Sequence, residues 1–179
     1  MQKSLSIYNF QQNETIASIG ASSGVWEIWF ASQVEGLTFY LQDIDPLNCN
    51  KEEINYGVKY YEKLLQKPIL GQFIPIVGTQ SETNLPKNMF DKVLIINSLH
   101  EFQTPELILQ DIHKILKPNG KLFIEEQVAK FLGEIHEGCE KQLFTENELV
   151  DILKECGFEL INRHFKDNGV VIFEIFIGL

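Results

Sequence analysis

Ile16-Ala-Ser-Ile-Gly20-Ala-Ser-Ser-Gly24 runs into the apolar stretch Val25–Ala31 and then into Phe39-Tyr-Leu-Gln-Asp43. The order is a strand, a turn of small residues, a helix, and a second strand closed by a carboxylate. Small residues at such a turn let the backbone touch a ligand, because no Cβ, or only a short side chain, intervenes. A carboxylate roughly 20 residues further on can accept hydrogen bonds from both hydroxyls of a ribose. The pattern points to a nucleoside-containing ligand.

The rest of the chain extends this alternation. Thr15–Ile19 is the first strand, and Val25–Ala31 is a helix buried against the sheet, with Trp26, Trp29 and Phe30 assigned to the core. Residues 37–41 form the second strand. Residues 52–66 carry Ile54, Val58, Tyr61, Leu64 and Leu65 at helical spacing. Residues 73–77 form a third strand, which Pro75 confines to an edge because it removes a ladder donor. Residues 93–96 are nearly all apolar, as in a central strand covered on both faces. Thr104-Pro105 predicts a helix start, a hydroxyl cap followed by proline. That helix continues through Leu109, Ile112, Ile115 and Leu116 until Lys117-Pro118-Asn119-Gly120 stops it, and residues 122–125 are the fifth strand.

Thr145-Glu-Asn-Glu148 has the spacing of a capping box and opens a last helix ending near Gly157. Phe158–Phe165 and Val170–Ile177 are two further strands, joined across Asn168-Gly169, a pair suited to the positive φ of a tight hairpin turn. The expected fold is α/β: a Rossmann-like, doubly wound, seven-stranded sheet, mostly parallel, with a C-terminal antiparallel hairpin strand. Residues 1–179 make one domain, and residues 127–144 are expected as a flap over the active site. Only about 14 residues precede the first strand, so the pocket is either open or closed by a second subunit, as in a homodimer.

Composition narrows the function. The chain has 179 residues, 44% of them hydrophobic, enough for one sizeable core. Fifteen Lys and Arg stand against 25 Asp and Glu, a net charge of −10. A nucleic-acid surface needs clustered cations, and no cluster is present. Cys49, Cys139 and Cys156 are too few and too scattered for a disulfide framework, which points to a reducing, cytoplasmic setting. No signal-peptide pattern opens the chain, and no apolar stretch is long enough to span a membrane.

The turn discriminates among nucleoside ligands. Counted from Gly20, the third and sixth positions of a dinucleotide fingerprint are Ser22 and Val25 rather than glycine, so a nicotinamide cofactor is disfavoured. No Gly-Lys-Ser/Thr is present, which excludes a phosphate-cradling P-loop.

Taken with Asp43 in Gln42-Asp-Ile-Asp-Pro46, the segment Ser18-Ile-Gly20-Ala-Ser-Ser-Gly24 resembles the first motif of the class I S-adenosylmethionine-dependent methyltransferases. Gly78-Thr-Gln80 aligns with that family's third-strand turn. Met89-Phe-Asp-Lys-Val-Leu-Ile-Ile-Asn97-Ser-Leu-His100 looks like its fourth-strand motif, and Ile115-Leu-Lys-Pro-Asn-Gly-Lys-Leu-Phe-Ile-Glu125 like its fifth. The resemblance implies S-adenosylmethionine as cofactor, held by Gly20, Ala21, Ser22 and Gly24, by Asp43 and Ile44, by Thr79 and Gln80, and by Asn97 and Ser98. It implies methyl transfer to a small molecule; the aromatic motif of amino-methylating nucleic-acid enzymes is absent after the fourth strand.

Three positions depart from the family. Ser18 stands for the acid that helps hold the cofactor's ammonium, Ser22 for the second glycine, and Thr79 for the adenine-binding acid. A catalytically degenerate S-adenosylmethionine-binding or protein-interaction domain is therefore the alternative. His100 and Glu101 are the candidate general-base pair, since an imidazole beside a carboxylate titrates near neutrality. Glu125 and Glu126 face either the pocket or solvent. His136 and Cys139 give only two ligands, too few for a zinc site, so no metal is expected.

Overall fold

The computed structural model describes residues 1–178. Seven strands form one sheet in the order β3-β2-β1-β4-β5-β7-β6. They are β1 (Thr15–Ile19), β2 (Thr38–Asp43), β3 (Gln72–Val77), β4 (Phe90–Ile96), β5 (Leu116–Gln127), β6 (Phe158–Phe165) and β7 (Val170–Ile177). The first five pair in parallel, and β7 runs antiparallel to both β5 and β6. The order reverses between β1 and β4, so the carboxyl ends of those strands splay and leave a crevice, the place where open α/β sheets bind ligands.

The patterning explains the layout. β4 occupies the middle of the sheet, and Val93, Leu94 and Ile95 are completely buried, as an all-apolar central strand requires. β3, with Pro75, is the edge strand. Two apolar clusters, one on each face, hold the helices. Helix α4 (Pro105–Ile115) buries Ile108, Leu109, Ile112 and Ile115 in the first. Helix α2 (Val25–Ala31) buries Ile28, Phe30 and Ala31 in the second. Helix α3 (Lys51–Leu65) is held more loosely: of its apolar stripe only Ile54 is fully buried, and Leu64 lies exposed. Among the described residues, no helix is long and apolar enough to cross a membrane.

Local chemistry departs from expectation in four places. Thr104 does not cap α4; its hydroxyl donates instead to the Gln80 carbonyl, tying the loop after β3 to the start of the helix. Lys117-Pro118-Asn119-Gly120 belongs to β5 as a bulge, with the register jumping from Phe90↔Leu116 to Lys92↔Lys121. A Cβ on Gly120 would lie 2.9 Å from the Phe90 carbonyl oxygen, so only glycine lets the bulge fold in. The residues before β1 are not a bare extension. They form helix α1 (Gln2–Tyr8), whose Tyr8 is fully buried among Phe10, Phe30 and Phe123. Trp26 and Trp29, assigned to the core, are only half-buried. By contrast, Thr145 and Glu148 form the expected reciprocal cap of α5 (Glu146–Glu155), and Asn168 and Gly169 both take positive φ in the β6–β7 turn.

Candidate functional site: a cleft across the carboxyl ends of the strands

A cleft of about 800 Å³ opens over the carboxyl ends of β1, β2 and β4, a volume in the range of small-molecule sites. Its wall includes Gly20, Ala21, Ser22, Asp43, Ile44, Thr79, Gln80, Asn97, Ser98 and Glu101. Two sequence-predicted residues do not line it. Gly24 is buried behind the turn with φ 72°, and a Cβ there would strike Leu41 Cδ1 at 2.4 Å, so its role is helix–strand packing. His100 turns away from the cleft, toward Glu126.

The turn after β1 is held from its neighbours. Gly20 N–H and Ala21 N–H both donate to the Gln42 carbonyl of β2, at 2.9 and 3.0 Å. Gly20 has φ 69°, and a Cβ would sit 2.6 Å from Ser98 Oγ; the glycine allows the turns after β1 and β4 to meet. Ser98 in turn donates to the Ile19 carbonyl at 3.1 Å. Ser22 and Asn97, both lining the cleft, hold left-handed φ of 49° without being glycine. Such strain is retained where surrounding structure fixes it, often at ligand sites.

Asp43 is half-buried at the rim. Its Oδ2 accepts from Ser22 N–H at 2.8 Å and its Oδ1 from Asp45 N–H at 2.9 Å. The carboxylate is thus locked in place by two backbone donors, and each oxygen keeps a lone pair for a ligand hydroxyl. Thr79 spends its hydroxyl inside its own turn, accepting from Glu82 N–H at 2.9 Å.

Ser18 is not a bare loss of charge. Its hydroxyl donates to Oε1 of Glu27, on the first turn of α2, at 2.5 Å. Glu27 is 1% exposed, and its Oε2 has no partner. Burial raises its carboxyl to about 7, against a smaller downward pull from the Ser18 hydrogen bond. An acid therefore does stand one element from β1, buried behind the cleft wall rather than in it. Local motif reading missed it because Glu27 lies on the helix after the motif.

The far wall carries groups that sequence reading left undecided. Glu125 lines the cleft with Lys166, whose Nζ donates to Glu125 Oε1 at 2.5 Å and to Ser4 Oγ at 2.9 Å. Tyr8 of α1 donates its hydroxyl to Glu125 Oε2 at 2.8 Å. Burial, with the Glu125 charge next to it, drives the Tyr8 phenol well above its ordinary range. Helix α1 thereby reaches the cleft wall through Glu125.

The next residue, Glu126, points to the opposite face, as strand alternation requires. Its Oε1 accepts from Leu99 N–H at 2.6 Å, and its Oε2 lies 2.8 Å from His100 Nδ1. Burial alone would lower the His100 imidazole, but the hydrogen bond and charge of Glu126 prevail and lift it to about 9. Glu101, beside it, has a half-exposed side chain and does line the cleft. The 127–144 excursion folds back on itself, with Ala129 N–H donating to Phe144 O and Leu143 N–H to Glu134 O, both at 2.8 Å, and none of its residues lines the cleft.

Known proteins place this geometry. Residues 18–124 match the family model described as a methyltransferase domain. No curated protein sequence matches the chain. Among solved structures, an S-adenosylmethionine-dependent methyltransferase from Aquifex aeolicus superposes with a TM-score of 0.75 at 19% identity, covering 97% of this chain and 87% of the other. One from Methanosarcina mazei gives 0.66 at 20% identity, with 97% of each chain covered. The Burkholderia thailandensis 1,6-didemethyltoxoflavin-N1-methyltransferase, holding its acceptor and S-adenosylhomocysteine, gives 0.71 at 17% identity, covering 99% of this chain and 78% of its own. A turn after β1 open to the cleft, an acid fixed at the end of β2, and a sheet closed by an antiparallel β7 accompany these matches, and the chain belongs to the methyltransferase-domain family, the class I S-adenosylmethionine-dependent methyltransferases.

Proposed function

We propose that the protein transfers a methyl group from S-adenosylmethionine to a small molecule bound in the 800 Å³ cleft. The observation that carries this reading is Asp43: two backbone donors fix its carboxylate at the cleft rim with lone pairs to spare. The residues present fit the cofactor. Asp43 accepts the ribose hydroxyls, the backbone at Gly20–Ser22 leaves room for the amino-acid tail, and Thr79, Gln80, Asn97 and Ser98 border the base. The Ser18–Glu27 pair lies buried behind that turn, and a cation bound near it would draw the Glu27 proton off near neutral pH.

When bound, S-adenosylmethionine supplies a methyl group on a positively charged sulfur, already primed for attack. The chain's task is then to bind, align and exclude water. Trp26 and Phe102 provide apolar wall, and Glu125 and Lys166 form a neutralised pair on the acceptor side. Glu101, at the cleft and half-exposed, is the group placed to take a proton from the acceptor; His100, turned to Glu126, is not. The acidic surface disfavours nucleic acid as acceptor.

A second reading, a non-catalytic S-adenosylmethionine-binding or protein-interaction module, rests on the uncharged Ser18. One experiment separates the two. The protein is incubated with methyl-labelled S-adenosylmethionine and fractionated small-molecule, protein and nucleic-acid extracts. Label entering the small-molecule fraction, and lost with Glu101→Gln, is the expected result. Label in nucleic acid overturns the choice of acceptor, and binding without transfer to any fraction favours the second reading.

A further inference from the structure

Outside the cleft, His100 converges with two ligand-type side chains that are remote from it in sequence. Ligand atoms of His100, His136 and Cys139 all lie within 4.8 Å of one another. His136 and Cys139 sit in one tight turn. His136 N–H donates to Lys141 O at 2.8 Å, Glu140 N–H donates to His136 O at 3.0 Å, and Glu140 takes a left-handed φ of 57°. The turn sets His136 Nδ1 3.2 Å from Cys139 Sγ, near the separation of roughly 3.5 Å that an imidazole and a thiolate keep around tetrahedral zinc. The His100 and His136 rings are 5.0 Å apart.

His100 brings the independent observation. Its side chain is fully buried, and its Nε2 has no hydrogen-bond partner among the described residues. Its other nitrogen faces the Glu126 carboxylate, itself locked by Leu99 N–H. A carboxylate that takes Nδ1–H orients the ring and, once Nε2 gives up its proton to a metal, holds the tautomer that supports metal-bound histidines. Such a buried, unpaired nitrogen is costly unless a partner arrives.

We propose that His100, His136 and Cys139 bind a thiophilic divalent cation of the Zn²⁺ type, with water as the fourth ligand. Two imidazoles and one thiolate suit zinc and exclude magnesium and calcium, which take oxygen ligands. On binding, one metal–sulfur and two metal–nitrogen bonds form, and the Cys139 thiol proton and the His100 Nε2 proton pass to solvent. The ion pins the 128–144 excursion to the turn after β4. Because Glu101 Oε1, in the cleft wall, is 4.0 Å from His100 Nε2, the clamp borders the acceptor side of the cleft.

The test uses the full chain, stripped with a chelator and titrated with Co²⁺ without S-adenosylmethionine, so it is independent of the methyl-transfer reading. The expected result is one equivalent bound, with a thiolate-to-cobalt band in the near ultraviolet and the visible bands of a tetrahedral ion. Zn²⁺ displaces the cobalt; Mg²⁺ does not. Cys139→Ser removes the near-ultraviolet band and weakens binding at least ~100-fold. Glu126→Gln weakens binding about 10- to 100-fold while keeping the band. Melting of each stripped variant shows that it is folded. Absence of stoichiometric binding to the folded wild type overturns the proposal, as does a sulfur band that persists in Cys139→Ser, which would assign the ion to Cys49 or Cys156.

Discussion

Glu125 and Glu126 are neighbours on one strand and end in two unlike environments. Glu125 lies on the cleft side, where Lys166 and Tyr8 satisfy both of its oxygens. Glu126 lies on the other side, where Leu99 N–H and His100 occupy its oxygens and the imidazole is left with a bare nitrogen. One residue of strand alternation thus separates a closed, charge-balanced cleft wall from an open cluster of soft ligands. The cleft face spends its charge within the protein. The flap face keeps a donor unspent.

Truncation tests that difference, and the larger cost belongs to the closed side. Glu125→Ala strands Lys166 and the buried Tyr8 hydroxyl, and is expected to lower stability by about 3 kcal/mol in urea unfolding. A loss below about 1 kcal/mol would mean that the wall is not a coupled network. Glu27 sharpens the contrast, being a buried acid with neither partner cation nor full pairing. Its carboxyl is neutral below the ordinary 4.5 and ionised above about 7, so its contribution to stability falls as pH rises through that window. The gap is worth about 3 kcal/mol at 1.36 kcal/mol per pH unit. Glu27→Gln should flatten the fall between pH 4.5 and 7 in ligand-free protein; an unchanged profile would show that Glu27 is not held unpaired. Glu126→Ala should cost less, about 1–2 kcal/mol, because it frees one backbone N–H and an imidazolium that can release its proton, rather than a lysine ammonium.

Legibility in the sequence divides along similar lines. The edge position of β3 and the central position of β4 follow from Pro75 and from the apolar run at residues 93–96, because periodicity and ladder chemistry are local. Most cleft residues were legible as well, since turns after parallel strands must sit at one end of the sheet. Contacts set by three-dimensional closure were not. Glu27 reaches Ser18 only once α2 packs on β1. Lys166 meets Glu125 only through the antiparallel β7 hairpin, and Tyr8 only through α1. His100 does not line the cleft because the 3₁₀ turn over Leu99–Glu101 rotates successive side chains by about a third of a turn, Glu101 to the cleft and His100 to Glu126.

Isothermal titration of the ligand-free chain with S-adenosylhomocysteine, wild type beside Asp43→Ala, bears most directly on the cleft. The wild type should bind one equivalent, and the variant about 100-fold more weakly, the loss of two hydrogen bonds to a charged acceptor at about 1.5 kcal/mol each. No heat with the wild type, or equal affinity in Asp43→Ala, would show that the ribose does not rest on the acid ending β2.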